Sequence, residues 1–286
     1  MTGRHRRPRR LSKEGRRLLG GVALLAVFAP VTAYTLNVAI AHVRSCESDI
    51  TLTVAAAPEI AGVLEDFVEA GGGAPERGSD VCAEIQVTPI DSGEIDQAEA
   101  EVWIPETDLW LDVPEAGLGE QWEVLQSSTA SSAVGIALPA GADPASIDPT
   151  LTEVAVEDPR SNPAELLWIT VFGVGENITD SGEAVMSAHQ VAEHNAEGGP
   201  ELQPPSAAAQ VGLFTYPVLT AVDLDEEHRE AAQNLVRSYS LPEYAELLTE
   251  AGFGPPSTGG TQRDEWIVPQ ALEAWDSYAG SSSSLD

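Results

Sequence analysis

Three strand-to-helix turns carry the residues able to recognise a dissolved molecule. A helix that starts without a side-chain cap leaves backbone N–H groups unpaired at the positive end of its dipole. Ala56-Ala57-Pro58-Glu59 is such a start: Pro58 suits the first helical position, yet no Ser, Thr, Asp or Asn stands before it. Water or a solute then satisfies those donors. The second turn, Trp103-Ile104-Pro105-Glu106-Thr107-Asp108-Leu109-Trp110, sets two flat rings beside a threonine and two carboxylates. The rings suit an apolar or sugar-like ligand, or they fill the core beneath a cleft; for Trp103, on a strand, both readings stand. The third is Asp158-Pro159-Arg160-Ser161-Asn162. Arg160, just before a helix start, is placed either to clamp a carboxylate or oxyanion through two parallel N–H bonds or to pair with a neighbouring acid. Such turns bind a small polar or anionic solute without needing many charged side chains.

Enzymatic readings fare poorly. His189 and His194 lie five apart, not the three or four that set two ligands on one helical face, and both read as solvent-facing. No G-x-S-x-G, Walker loop or Cys/His cluster occurs, and Asp225-Glu226-Glu227 simply favours a helix start. No catalytic residue, metal or cofactor is expected.

The elements that must position these turns follow from periodicity. Asp49–Ala55 alternates and then turns apolar, as a strand entering a core does; Ile60, Val63, Leu64, Phe67 and Val68 then fall on one helical face, ended by Gly71-Gly72-Gly73. Strands are read at Ala83–Pro89, Val102–Ile104, Ser132–Leu138, Leu151–Val156 and Val211–Thr215. Helices are read at Pro163–Phe172, capped by Asn162 with Glu165 three residues on, then at Ser181–Asn195, Glu226–Tyr239 and Pro242–Ala251. Ser240 and Glu243 supply a capping box for the last of these and Gly252 its C-cap. This alternation implies an α/β protein with mostly parallel sheets, compatible with two lobes.

Charge is divided sharply along the chain. Nine of the 14 basic residues and one of the 46 acids precede Ser45, leaving five arginines, no lysine and 45 acids beyond it. So acidic a body repels phosphate backbones, which excludes nucleic acid as a partner, and suits a salt-rich habitat where screening relieves self-repulsion. Residues 1–17 form a basic segment read as cytoplasmic, and 18–43 an uncharged apolar run read as a transmembrane anchor or uncleaved signal. The main domain is thereby placed outside the cell, bound to the membrane by one pass, or secreted if Val31-Thr32-Ala33 or Ala39-Ile40-Ala41 is a cleavage site. In an exported chain the two cysteines, Cys46 and Cys82, are expected to pair.

The segments TVAAAPEI, AEVWIPETDLWL (100–111), SSTASSAVGIALPAG (127–141), VAVEDPRSNPAELL (154–167) and LFTYPVL (213–219) together resemble bacterial extracellular solute-binding proteins of the type 2 periplasmic-binding class. The resemblance is strongest to an actinobacterial branch often fused to a von Willebrand factor A domain, and spans about 45–275. It implies a two-lobed fold over 45–279, with lobe 1 about 48–125 and 212–279 and lobe 2 about 126–211, followed by a flexible tail at 280–286. It implies transport-linked binding without catalysis, with a separate transporter or a von Willebrand A-domain protein as partner. Ligand contacts are carried over to Ala57, Pro58, Glu59, Trp103, Pro105, Glu106, Thr107, Asp108, Trp110, Ser131, Ser132, Arg160, Ser161 and Tyr216. The D-x-S-x-S signature of the A domain is absent, so adhesion through that domain is not implied. The alternative is an extracellular protein-interaction module that keeps the fold but not the small-molecule site.

Overall fold

The computed structural model describes residues 48–74, 81–114, 117–179, 182–257 and 266–282. The expected anchor at 18–43 and Cys46 lie outside them; Cys82 is not a free thiol.

From the N-terminal side the chain lays down β1 (Ser48–Ala56), α1 (Pro58–Glu69), β2 (Val81–Pro89), β3 (Val102–Ile104), the single turn α2 (Leu118–Gln121) and β4 (Trp122–Gln126). It then forms β5 (Ser132–Ile136), β6 (Leu138–Pro139), β7 (Val154–Ala155), α3 (Pro163–Phe172), β8 (Ile178–Thr179), β9 (Glu183–Ser187), α4 (Ala188–Ala196), β10 (Leu202–Gln203) and β11 (Gln210–Phe214). β12 (Val218–Ala221), α5 (Glu226–Ser238), α6 (Pro242–Glu250) and α7 (Ile267–Ser282) complete it. One sheet has the order β2-β1-β3-β12-β4, the other β11-β5-β9-β7-β8, with β10-β6 as a separate pair. Each sheet is the floor of one lobe.

The sheets are mixed rather than mostly parallel. β1 runs parallel to β2 and β3, and β7 parallel to β8 and β9, as strand-helix-strand crossovers require. β12 is antiparallel to β3 and β4, and β5 to β11 and β9. The reason lies in the connections: the chain crosses between lobes from β4 to β5 and returns from β11 to β12, so its outgoing and returning strands run side by side in opposite directions.

Other expectations change for local reasons. The helix read over Ser181–Asn195 is strand β9 followed by α4, which starts only where Ser187 and Gln190 close a reciprocal capping box. Leu151–Val156 contributes only Val154–Ala155 to a sheet, and Leu151 is exposed. The expected box at α6 does not form: Leu241 is the N-cap, and Ser240 Oγ donates to Arg237 O at the end of α5. β11 belongs to the second sheet, so the chain rejoins the first only at Val218. α7 continues past Gly280 to Ser282 and packs on α3. Its Val268, Ala271, Leu272 and Trp275 are buried, and Tyr278 Oη donates to Ile178 O at 2.9 Å.

The first lobe is held by aromatic packing. Phe67 of α1 is buried against Tyr239 at the end of α5 and Tyr244 of α6, with ring centroids 5.8 and 4.9 Å apart. Phe67→Ala is expected to cost about 3–5 kcal/mol in urea unfolding, because it leaves a cavity where the two tyrosine rings of α5 and α6 lose their common partner on α1. At the start of α5 the His228 ring lies 2.8 Å from Asp225 and 3.2 Å from Glu101. The bond to Asp225, reinforced by the charge of Glu101, raises its pKa. A raised histidine pKa contributes stability that is complete below about 6.5 and lost as pH rises through the folded value. His228→Asn is therefore expected to flatten the fall in melting temperature above pH 6.5.

Candidate functional site

Parallel strands end together, and here both lobes aim those ends at one another. On the first sheet Glu59 stands three residues after β1, Asp91 two after β2 and Glu106 two after β3. Backbone bonds continue the strands into these turns, Ala57 N to Ile104 O and Ile90 N to Ala56 O, both 2.9 Å. On the second sheet the turn after β7 brings Glu157, Asp158, Ser161 and Asn162 to the same place, and the helix after β9 brings Gln190 and Glu193. With Pro58, Pro163 and Glu165, these residues line a cleft of about 350 Å³ between the lobes. Crevices beyond the carboxyl ends of parallel strands are where open α/β sheets place ligands.

Seven of the twelve lining residues are carboxylates and none is basic. Three helices, α1, α3 and α4, begin at the cleft, and their positive ends offset part of that charge. Glu165 is spoken for within its own lobe: it accepts from Glu157 N at 2.9 Å, Asp158 N at 3.1 Å and Asn162 Nδ2 at 2.9 Å. Burial raises its pKa against those donors. Glu106 is buried and accepts from Trp110 Nε1 at 3.2 Å; burial raises its pKa too.

Glu59 joins the lobes. Its Oε2 accepts from the Tyr216 hydroxyl, on the returning crossover, and its Oε1 from Ser187 Oγ at 3.1 Å, at the start of α4. Burial, against the two hydroxyl donors, pushes its pKa up to about 7, with the charges of Glu106 and Glu193 adding to the rise. Tyr216 keeps its proton, since burial and the Glu59 carboxylate raise its pKa well above the usual phenol value.

Tyr216 is also the one non-glycine residue with positive φ among those described, at 46°. A side chain in that region costs of order 1 kcal/mol or more and persists only where its surroundings hold it. Here Thr215 N and Tyr216 N both donate to Glu106 O, at 3.0 and 3.2 Å, while Tyr216 O accepts Thr129 Oγ1 at 2.8 Å and Thr129 N at 3.1 Å. The two crossovers are thereby bonded to each other and to the Glu106 turn.

Of the residues expected at the site, Pro58, Glu59, Glu106 and Ser161 line the cleft and Tyr216 reaches it through Glu59. Trp103 is fully buried against Trp122, centroids 5.6 Å apart, so it is core. Ala57 and Pro105 are buried backbone supports, and Thr107 Oγ1 accepts Leu109 N at 3.3 Å to open the 3-10 turn Asp108–Asp112. Ser131 pairs with Gly254 and donates to Pro255 O, and Ser132 is buried at the start of β5. Arg160 does clamp a carboxylate bidentately, but it is Asp276 of α7, at 3.0 Å through both N–H groups. With Gly93 and Trp110 it lines a separate pocket of about 230 Å³. His189, expected in solvent, stacks on Phe253 at 5.0 Å.

Asp91, Glu157, Gln190, Glu193 and the linking Ser187 were not singled out from the sequence. Ser187-Ala188-His189-Gln190 carries a capping signature that fits a helix starting at Ala188 and not at Ser181. Asp91 and Glu157 bear no local signal; only strand order brings them to Glu59.

No family model and no curated protein matches the chain. Solved structures do. The sulfate-binding protein SubI from Mycobacterium tuberculosis has 16% identity over 74% of this chain and 88% of its own, TM-score 0.46. The arginine-, lysine-, histidine-binding protein ArtJ from Geobacillus stearothermophilus has 11% identity over 71% and 95%, TM-score 0.46. Iron-bound HitA from Pseudomonas aeruginosa has 13% over 79% and 97%, TM-score 0.45. These similarities are of fold alone, and no ligand is carried from them.

Glu59 sets a pH dependence of stability. With its pKa at about 7 folded and 4.5 unfolded, the native state holds a proton that the unfolded chain has lost, so stability falls between pH 4.5 and 7. Glu59→Gln is expected to remove that fall, roughly 3 kcal/mol across the window, measured by denaturant unfolding at pH 5 and pH 8.

Proposed function

We propose that this protein is an extracellular solute-binding protein that holds a small organic cation between its two lobes, without catalysis. The observation that supports the reading is the inter-lobe cleft, walled among the described residues by seven carboxylates and by no basic side chain. A buried or half-buried carboxylate gains from an ammonium or guanidinium partner. An oxyanion, the solute class suggested by the helix starts alone, meets repulsion from every wall, and Arg160 is bonded to Asp276 instead of facing it. Amine recognition by carboxylates needs no nucleophile. The histidines near or behind the site are held in other roles, His189 on Phe253 and His228 between Asp225 and Glu101.

On the same reading, residues 18–43 tether the domain to the outer face of the membrane and a separate transporter receives the solute. A cleft of about 350 Å³ lies in the range that takes ligands of amino-acid or diamine size.

Thermal shift with choline, putrescine, arginine, sulfate, molybdate and glucose is the direct test. A cation present at about 100 times its Kd stabilises the native state by about 2.7 kcal/mol, which for a domain of this size raises Tm by several degrees. The reading expects such a rise with cations and none with the oxyanions; a rise with sulfate or molybdate alone overturns it, and no rise with any solute favours the interaction-module alternative. Glu193→Gln, at the rim, is expected to weaken cation binding about 3- to 10-fold and to reduce its dependence on salt.

A further inference from the structure

We propose, resting on the cation reading above, that binding in this cleft is proton-coupled: Glu59 holds its carboxyl proton until a cationic group enters beside it, and one proton then leaves to water for each cation bound.

The geometry that carries this is the position of one carboxyl between two lobes. Glu59 reaches the first lobe's returning crossover through Tyr216 and the second lobe's α4 through Ser187, while its own helix contributes to the cleft wall. Among the described residues every titratable group facing it is acidic: Glu106 on its own lobe, Glu193 on α4, Tyr216 beneath it, and Asp91, Glu157, Asp158 and Glu165 around the cleft. His189, the nearest base on α4, is stacked on Phe253 and its pKa is lowered by burial, so it supplies no counter-charge near neutrality. A proton on Glu59 is therefore the local answer to crowded negative charge. It is also displaceable, because Glu59 itself lines the cleft whereas Tyr216 lies buried behind it.

A cation seated against Glu59 favours the ionised carboxylate, whose oxygens are already served by two hydroxyl donors. The neutral acid and the incoming cation become a carboxylate–cation pair and a released proton, so charge balances. Linkage then fixes the sign: apparent affinity rises tenfold per pH unit below about 7 and levels off above it. The coupling selects for fixed positive charge, since a neutral solute of the same size offers nothing in exchange for the proton.

Titration calorimetry of the whole chain with choline and with putrescine is the test, both fully charged between pH 5.5 and 8. The heat is measured at pH 6 in cacodylate, MES and ACES, whose ionisation enthalpies differ. Its slope against buffer enthalpy is expected to report close to one proton released at pH 6 and, repeated at pH 8 in three buffers suited to that pH, close to none. Glu59→Gln is expected to bind without releasing a proton, while His228→Asn, at the start of α5 and outside the cleft lining, still releases one. If Glu59→Gln fails to fold, Ser187→Ala serves: loss of a hydroxyl donor to Glu59 moves the pH at which affinity levels off upward. Binding with no buffer dependence in the wild type, or proton release that survives in Glu59→Gln, overturns the coupling and leaves cation binding standing. Absence of binding by both probes at every pH overturns the cation reading itself.

Discussion

A carboxyl group enclosed between two lobes must be neutralised by a proton or answered by a cation, because taking its charge out of water costs several kcal/mol. Glu59 is in that position, bonded to Tyr216 from one lobe and to Ser187 from the other. Neighbouring acids deepen the constraint: Glu106 lies beside it, and the opposite wall adds Glu157, Asp158 and Glu193. The chemistry of the cleft follows from how this negative charge is met. The helix ends α1, α3 and α4 meet part of it, and the remainder is what gives the site its preference for positive charge.

The same constraint accounts for the strained backbone at Tyr216. Its hydroxyl reaches Glu59 from the crossover, and its φ of 46° is held by hydrogen bonds to the Glu106 turn and to Thr129. The residue that serves the buried carboxyl thus also ties together the strands joining the lobes.

Where the few cations stand matters as much as where the acids do. With five arginines beyond Ser45, each pairing decides which surface stays purely negative. Arg160 stands between Asp158 and Ser161, which line the cleft, yet its guanidinium faces Asp276 and fastens α7 to the second lobe. Its withdrawal leaves the walls, among the described residues, without a basic side chain. A short-range clamp was legible at Arg160; the identity of the carboxylate was not, since Asp276 lies 116 residues away.

Local order was written in the sequence. The stripe Ile60, Val63, Leu64, Phe67 behind Pro58 makes α1, Asn162 with Pro163 starts α3 at the expected residue, and Val102–Ile104 is a strand as its apolar run implies. These depend on periodicity and capping within a few residues, as does the excess of acid that sets the sign of the body's charge. The helix α7, with its buried Val268, Ala271, Leu272 and Trp275, is not among those read from the sequence, nor is its packing on α3. What only the tertiary structure decided is which strand ends share a crevice. Strand order places Asp91, Glu59 and Glu106 side by side from turns far apart in the chain, and the double crossover sets them against Glu157 and Glu193. Periodicity reports the face a residue occupies, whereas a shared electrostatic environment depends on distance through space, and that is created only when the two sheets meet.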